Sequence, residues 1–329
     1  MDEFRTELNI KPADHKISHS DPIITLGSCF AESIGQKLKA AKFPVLANPF
    51  GTIYNPLSIH KQLLRAIGNQ PAPKHTYLRH HDIILNYDFH SEFSSSSKKQ
   101  LETKIEGATF PTHRFLKSSK FLFLTYGTAW VYERVDTKEV VANCHKMPQK
   151  QFTKFLLTQK KILESFAELY QAVKTFNPAI RIIITISPVR HLKDTLELNS
   201  VSKSVLRLTS HTLTEMYADV DYFPAYEILL DDLRDYRFYS SDLIHPTPDA
   251  LDYIWKKFSA RYFDFETNLF LAEWQVVKKA MAHKAFQPTS SAHQHFLKET
   301  LAKLEHLRSK VNVEEEIKEI QLQLMPIAE

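Results

Sequence analysis

The 329-residue sequence predicts a three-layer α/β/α domain on a parallel sheet, followed by a C-terminal helical extension. Three observations predict it. Near-continuous apolar runs at Ile23–Leu26, Lys120–Thr128 and Arg181–Pro188 read as strands covered on both faces. Helical periodicities alternate with these runs, which is the pattern of strands joined by crossover helices. After Phe265 the strand signals stop and only helical patterns continue. The expected division is a core domain over residues 1–265 and a helical extension over 266–329.

Residues 1–20 are polar and lead into the first strand along the surface. The strand Ile23–Leu26 turns through Gly27-Ser28-Cys29 into a helix at about 31–42, marked by Phe30, Ile34 and Leu38 at four-residue spacing. Phe43–Leu46 reads as a second short strand. It enters Asn48-Pro49-Phe50-Gly51-Thr52-Ile53-Tyr54-Asn55-Pro56, where two Asn-Pro pairs around a glycine specify a loop. Leu57–Ile67 reads as a helix. Residues 69–120 are less regular, with a strand at Ile83–Tyr87, a Ser-rich loop at 94–97 and a charged helix at Lys98–Glu106, together an insertion over the sheet edge.

Beyond the strand at 120–128, Ala129–Arg134 and Glu139–Ala142 read as a hairpin. Phe152–Phe176 reads as one long amphipathic helix stopped by Asn177-Pro178. After the strand at 181–188 come a helix at Leu198–Tyr217, a short strand at Tyr222–Pro224 and a helical stretch at Tyr226–Leu233. Asp242-Leu243-Ile244-His245-Pro246 then opens a helix from about Asp249 to Tyr262. In the extension, Leu269–Phe286 reads as one helix and Phe296–Leu324 as a helical tail or hairpin. Its leucine seam fits either packing on its own domain or a homo-oligomer contact.

Composition excludes several classes. Hydrophobic residues make up 43% and charged residues 24%, ordinary for a globular chain. The net charge of +4 is scattered among acidic residues and indicates no nucleic-acid partner. No apolar run is long enough for a membrane span or a signal peptide, so a cytoplasmic location is expected. Two cysteines, Cys29 and Cys144, provide no disulfide framework, and their spacing makes no zinc site.

The chemistry-bearing residues fall at two ends of the core domain. Ser28 sits where a strand turns into a helix, so its side chain lies at the C-terminal edge of the sheet beside the first free helix N–H groups. Those donors and the helix dipole favour an anion, including an acyl-transfer oxyanion. Ser28 fits a nucleophile's place; it equally fits a plain helix cap. A nucleophilic serine needs a base and a group that orients the base. Asp242 and His245, three residues apart on a turn stiffened by Pro246 and Pro248, can supply both. Cys29 is a rival nucleophile, but a neighbour on a tight turn points elsewhere. Arg190 and His191 follow a buried strand at its C-terminal end, where α/β sheets bind ligands, and are candidates for substrate contact. Tyr54 and Asn55, at the end of the Asn-Pro loop, are further candidates.

These residues carry a family resemblance. Leu26-Gly27-Ser28-Cys29-Phe30-Ala31-Glu32 resembles the signature of the GSCFA domain proteins, which are placed with the SGNH (GDSL-like) hydrolases and acyltransferases. The resemblance continues through the Asn48–Pro56 loop, Tyr126–Tyr132, Asn143–Lys146, Ser187–Val189 and Asp242–Pro246. It implies an SGNH-hydrolase-like (flavodoxin-like) sheet. It implies Ser28 as nucleophile, His245 as base and Asp242 as its orienter. Oxyanion donors would be the Cys29 and Gly51 N–H groups. An SGNH enzyme carries an Asn in its third block as a further donor; this chain has Gly127-Thr128-Ala129-Trp130 there. Thr128 or Asn143 is then the expected substitute. The implied activity is a serine esterase or O-acyltransferase that needs no cofactor or metal and takes a small acyl ester, such as an O-acetylated carbohydrate. The alternatives are a glycan- or acyl-binding module that keeps the fold, and a scaffold assembled through the C-terminal helices.

Overall fold

The computed structural model describes residues 5–324. The elements in chain order are β1 (Ile23–Gly27), α1 (Cys29–Ala40), β2 (Val45–Ala47), α2 (Pro56–Ile67), β3 (Tyr77–His80), β4 (Ile83–Asn86), α3 (Lys98–Ser118), β5 (Phe121–Tyr126), β6 (Trp130–Arg134), β7 (Val140–Val141), β8 (Phe152–Leu156), α4 (Gln159–Phe176), β9 (Arg181–Ile186), α5 (Thr195–Met216), β10 (Val220–Phe223), α6 (Ala225–Glu227), α7 (Pro248–Tyr262), α8 (Phe265–Met281), α9 (Ser291–Leu307) and α10 (Glu314–Gln323). A π-helical segment, Ile228–Leu233, extends α6.

The central sheet is parallel throughout, in the order β10-β9-β5-β1-β2. Its strands are apolar on both faces because helices cover both. Ile23, Phe121, Phe123 and Ile183 face α1 and α7, where Phe30, Ile34, Leu38, Ile254, Phe258 and Tyr262 pack. The alternate residues Ile24, Leu122, Leu124 and Ile182 face α2, α4 and α5 through Ile59, Leu63, Phe166, Leu169 and Leu206. Each fully buried Leu, Ile or Phe contributes roughly 1.5–3 kcal/mol of transfer free energy. The result is the expected three-layer α/β/α fold.

The sheet order has a consequence for function. From β1 the chain steps one way to β2 and the other way to β5, so a crevice opens between the C-terminal ends of β1 and β5. Ligands in open α/β sheets bind at such a switch point. Ser28 directly follows β1 and Gly127 directly follows β5.

Two helix expectations need correction. Phe152–Leu156 is not the first turn of the long helix but strand β8, paired antiparallel with β6 in the register Trp130↔Leu156 to Arg134↔Phe152. Its aromatic spacing also suits a helix, and the open edge of β6 decides the outcome. The helix starts only at Gln159, where Thr158 Oγ1 accepts from Lys161 N. The charged helix at Lys98 runs on to Ser118, straight through Pro111. Pro111 and Gly107 are both exposed, so water can take the carbonyl that the proline leaves without a donor. Strand β3 pairs with β4 as a hairpin, and β7-β6-β8 forms a small separate sheet.

The C-terminal helices pack on their own chain. Helices α8, α9 and α10 share a core of Phe270, Trp274, Val277, Leu297, Leu304, Ile317 and Ile320. Trp274 Nε1 donates to Ala40 O at 2.8 Å, the Phe270 ring lies tilted against His19 at 4.2 Å, and Lys42 pairs with Glu316 at 2.6 Å. These contacts lie at the C-terminal end of α1, the opposite end of that helix from Ser28.

Candidate active site

The Ser28 corner is built by backbone constraint. Gly27 has φ +140°, and a β-carbon there would lie 2.1 Å from Thr125 O on the neighbouring strand, so only glycine fits. Asn48 secures the turn from outside: its Oδ1 accepts from Gly27 N at 2.9 Å and its Nδ2 reaches Ser28 O at 3.5 Å. Ser28 N donates to Thr125 O at 3.2 Å. The Ser28 side chain is the N-cap of α1, accepting from Phe30 N at 3.3 Å, and the residue is 1% exposed. Cys29 begins the helix, and its N–H has no acceptor among the described residues. The Cys29 thiol faces the Tyr54 hydroxyl at 3.7 Å. Burial first, then the neighbouring thiol, raises the Tyr54 phenol above its ordinary range.

The second loop is pre-assembled. Asp242 Oδ1 accepts from Ile244 N at 2.9 Å and His245 N at 3.0 Å, while Oδ2 meets His245 Nδ1 at 2.7 Å. The backbone N–H of His245, then its ring, then the N–H of Ile244 hold the Asp242 carboxyl down at about 2. Leu243 takes a left-handed φ of +58° to close the turn, and Ser240 N donates to His245 O at 2.8 Å.

A third segment links these two loops. Arg190 N donates to Ile244 O at 3.3 Å, and the Arg190 guanidinium lies 3.9 Å from the centre of the Tyr239 ring. Next to it, His191 N donates to Asn199 Oδ1 at 3.0 Å, and the His191 ring stands edge-on to Tyr54 at 5.2 Å. A β-carbon at Gly127 would lie 3.2 Å from His191 Nε2 and 3.3 Å from Ser28 Cβ. Ser28 and His191 therefore border the same space above Gly127, with Tyr54 O the nearest atom to it at 3.1 Å. Burial first, then Lys203, lowers His191 to about 4, with Asp194 opposing and His245 adding to the fall.

Lys203 itself is 2% exposed. Its Nζ donates to Gly127 O and Ser187 O, each at 2.7 Å, bridging the ends of β5 and β9. Burial lowers it to about 7.

A cavity of about 540 Å³ opens beside this junction. Tyr54, Thr128, His191, Trp130, Tyr132 and Phe152 are among the residues that line it; Ser28, Asp242 and His245 are not.

The expected site residues divide as follows. Ser28 and Cys29 sit at one loop, Asp242 and His245 at another, with Arg190 and His191 between. Among the described residues, Ser28 makes no hydrogen bond to His245. Thr128, Asn143, Tyr54 and Asn55 line the cavity. Gly51 needs correction as an oxyanion donor, because its N–H already donates to Asn48 O at 2.8 Å within the loop turn. The Thr128 hydroxyl accepts from Trp130 N at 3.1 Å and shares a 3.0 Å bond with Ser202, so it is held against α5. Asn55 spends its Oδ1 capping α2, accepting from Ser58 N at 2.9 Å, and its Nδ2 on Val141 O. Arg190 holds loops together and is not among the cavity-lining residues. Asn143 Oδ1 accepts from His145 N at 2.8 Å. Among the described residues, no group of three or more His, Cys, Asp or Glu side chains could hold a metal ion. Sequence reasoning missed Lys203 and the bracing role of Asn48. Lys203 left a trace: it falls on the buried stripe of α5 with Asn199, Ser202, Leu206 and Ser210.

The family model described as GSCFA family matches residues 22–258, which span every loop of this site. The model described as GSCFA domain protein, C-terminal domain, matches residues 274–326, a range that takes in α9, α10 and the second half of α8. A comparison with curated proteins found no match. With well over half of its length matched, the chain belongs to the GSCFA family.

Proposed function

We propose that this chain is a serine esterase or O-acyltransferase of the SGNH type, acting on a small acyl ester such as an O-acetylated carbohydrate. The observation that carries the reading is the Asp242–His245 pair, a 2.7 Å contact between a carboxylate and an imidazole whose loop is tied to the segment facing Ser28. The roles follow from general acid–base chemistry. His245 Nε2 takes the Ser28 proton as Oγ bonds to the acyl carbon. The oxyanion that forms is held by the Cys29 N–H at the start of α1. Collapse breaks the ester C–O bond, and His245 returns the proton to the leaving alkoxide. Water or an acceptor hydroxyl then attacks the acyl-enzyme, with His245 as base again.

Closing this triad requires the Ser28 hydroxyl to leave Phe30 N–H and turn toward the imidazole. Catalytic hydrogen bonds commonly tighten only when substrate is bound. The neighbouring cavity offers Trp130, Tyr132 and Phe152 as apolar surfaces with Asn143 and Lys193 at its edge, a combination suited to a sugar.

One observation favours the second reading, a glycan- or acyl-binding module: Ser28 Oγ caps a helix and has no bond to His245. A fluorophosphonate probe with peptide mass spectrometry separates the two. The enzyme reading expects the label on Ser28 in the wild type and in Cys29→Ala, and none in Ser28→Ala. No label in the folded wild type, together with binding of acetylated oligosaccharides, supports the binding module.

A further inference from the structure

An acyl-transfer site of this kind needs more than one donor for its oxyanion, and most obvious donors here are already committed. Gly51 N donates to Asn48 O, and Gly127 N and Thr128 N both donate to Tyr54 O. The Thr128 hydroxyl belongs to Ser202 and Trp130 N. Among the described residues the Cys29 N–H has no acceptor, and His191 Nε2 is one of the buried side-chain atoms without a hydrogen-bond partner, the one that borders the space beside Ser28. A buried polar atom without a partner is costly, so it calls for a ligand that completes it.

Its position fits. His191 Nε2 and Ser28 Cβ lie 3.2 and 3.3 Å from the point where a side chain on Gly127 would begin. Tyr54 O lies 3.1 Å from the same point, its lone pairs facing Gly127 N and Thr128 N, so glycine at 127 keeps a narrow gap between nucleophile and ring that a methyl group would crowd. Asn199 fixes the backbone of His191, and the Tyr54 ring fixes its edge.

We propose that His191 is an oxyanion-hole residue, donating Nε2–H to the acyl oxygen in the gap above Gly127 and taking the place of the Asn absent from the third block. The inference rests on Ser28 being the nucleophile. The donor role uses the neutral Nε2–H tautomer. Burial and the adjacent Lys203 keep the ring neutral down to about pH 4, and among the charged groups acting on it only Asp194 works the other way. A neutral imidazole of this kind donates a hydrogen bond well and accepts a proton poorly, which separates His191 from His245. As the ester carbonyl becomes tetrahedral, negative charge grows on its oxygen, and the Nε2–H bond shortens without transferring its proton.

The test uses the full chain, p-nitrophenyl acetate as the ester and a fluorophosphonate as the serine probe. His191→Ala is expected to lower kcat by about 10²–10³-fold, the usual loss for one oxyanion donor, with KM changed far less. His191→Gln, which returns an N–H donor, is expected to recover at least about tenfold of that loss. Gly127→Ala, which puts a methyl group into the gap, is expected to lower kcat by a similar factor. Labelling of Ser28 in His191→Ala should slow yet still occur. If His191→Ala does not fold, His191→Leu and His191→Gln, of similar size, make the same comparison. The proposal is overturned if a folded variant lacking the imidazole keeps kcat within about threefold of wild type, a change too small for a lost donor. It is also overturned if His191→Gln is no better than His191→Leu, or if losing the imidazole abolishes labelling as loss of a base would. In those cases an active, Ser28-labelled wild type leaves the enzyme reading standing. A wild type that neither turns over ester nor labels at Ser28 overturns both.

Discussion

Replacing Asp242 by Asn separates chemistry from folding at one atom. The carboxylate makes three contacts: Oδ1 receives the N–H groups of Ile244 and His245, and Oδ2 faces His245 Nδ1 at 2.7 Å. Asn keeps an oxygen for the two backbone donors, so the turn survives. At the other position an amide N–H now faces the imidazole. Two donors cannot share one hydrogen bond, so His245 takes its proton on Nε2 and offers Nδ1 to the amide. The nitrogen that should deprotonate Ser28 is then already protonated. A wrong-tautomer base of this kind costs on the order of 10⁴-fold in kcat. The side chain is exposed, so the melting temperature should stay within about 3 °C of wild type. The assay is p-nitrophenyl acetate turnover near neutral pH beside thermal unfolding. A stable Asp242→Asn protein with more than about a tenth of wild-type kcat refutes this role of the pair.

Other outcomes follow from the packing. Lys203 falls from its ordinary range to about 7 through burial, so the folded state binds its proton less tightly than the unfolded chain does. Its contribution to stability is full above the unfolded value and is lost as pH falls through the folded one. Denaturation of wild type and Lys203→Met should therefore show the wild type gaining on the variant between about pH 7 and 10.5, by at most about 1.4 kcal/mol per pH unit; a pH-independent difference contradicts it. Asn48→Ala strips Gly27 N of its acceptor and puts alanine at φ +40°, for an expected loss of about 2–4 kcal/mol in chemical denaturation. Trp274→Ala empties the core of the C-terminal helices and breaks the bond to Ala40, for a loss of about 3–5 kcal/mol. Ester turnover in that variant, measured under conditions where it stays folded, should stay within about twofold, because α1 places about 18 Å between that contact and Ser28.

The layered sheet was readable because its strands are doubly apolar and its helices singly so. Ile23 and Ile24 already had to face different helices, whichever helices those were. The Ser28 turn and the Asp242–His245 turn were readable for a different reason: each is local, set by Gly27 in one case and by an Asx turn in the other. Strand β8 was not readable, since Phe152–Leu156 satisfies a helical period and only its neighbour β6 shows that it pairs. The donors failed for a similar reason. Whether Gly51 N–H is free depends on Asn48 O, a partner set by loop geometry rather than by residue type. His191 and Lys203 gain their character from burial beside the ends of β5 and β9, and burial of a single polar side chain is a property of the folded assembly.

The most direct measurement is a crystal structure of the protein after reaction with a fluorophosphonate. The expected result is a phosphonyl group on Ser28 Oγ, His245 Nε2 within about 3 Å of an adduct oxygen, and the phosphoryl oxygen turned toward Cys29 N–H and His191. A protein that stays unmodified, carries the group on Cys29, or holds His245 away from an adduct on Ser28 would contradict the account.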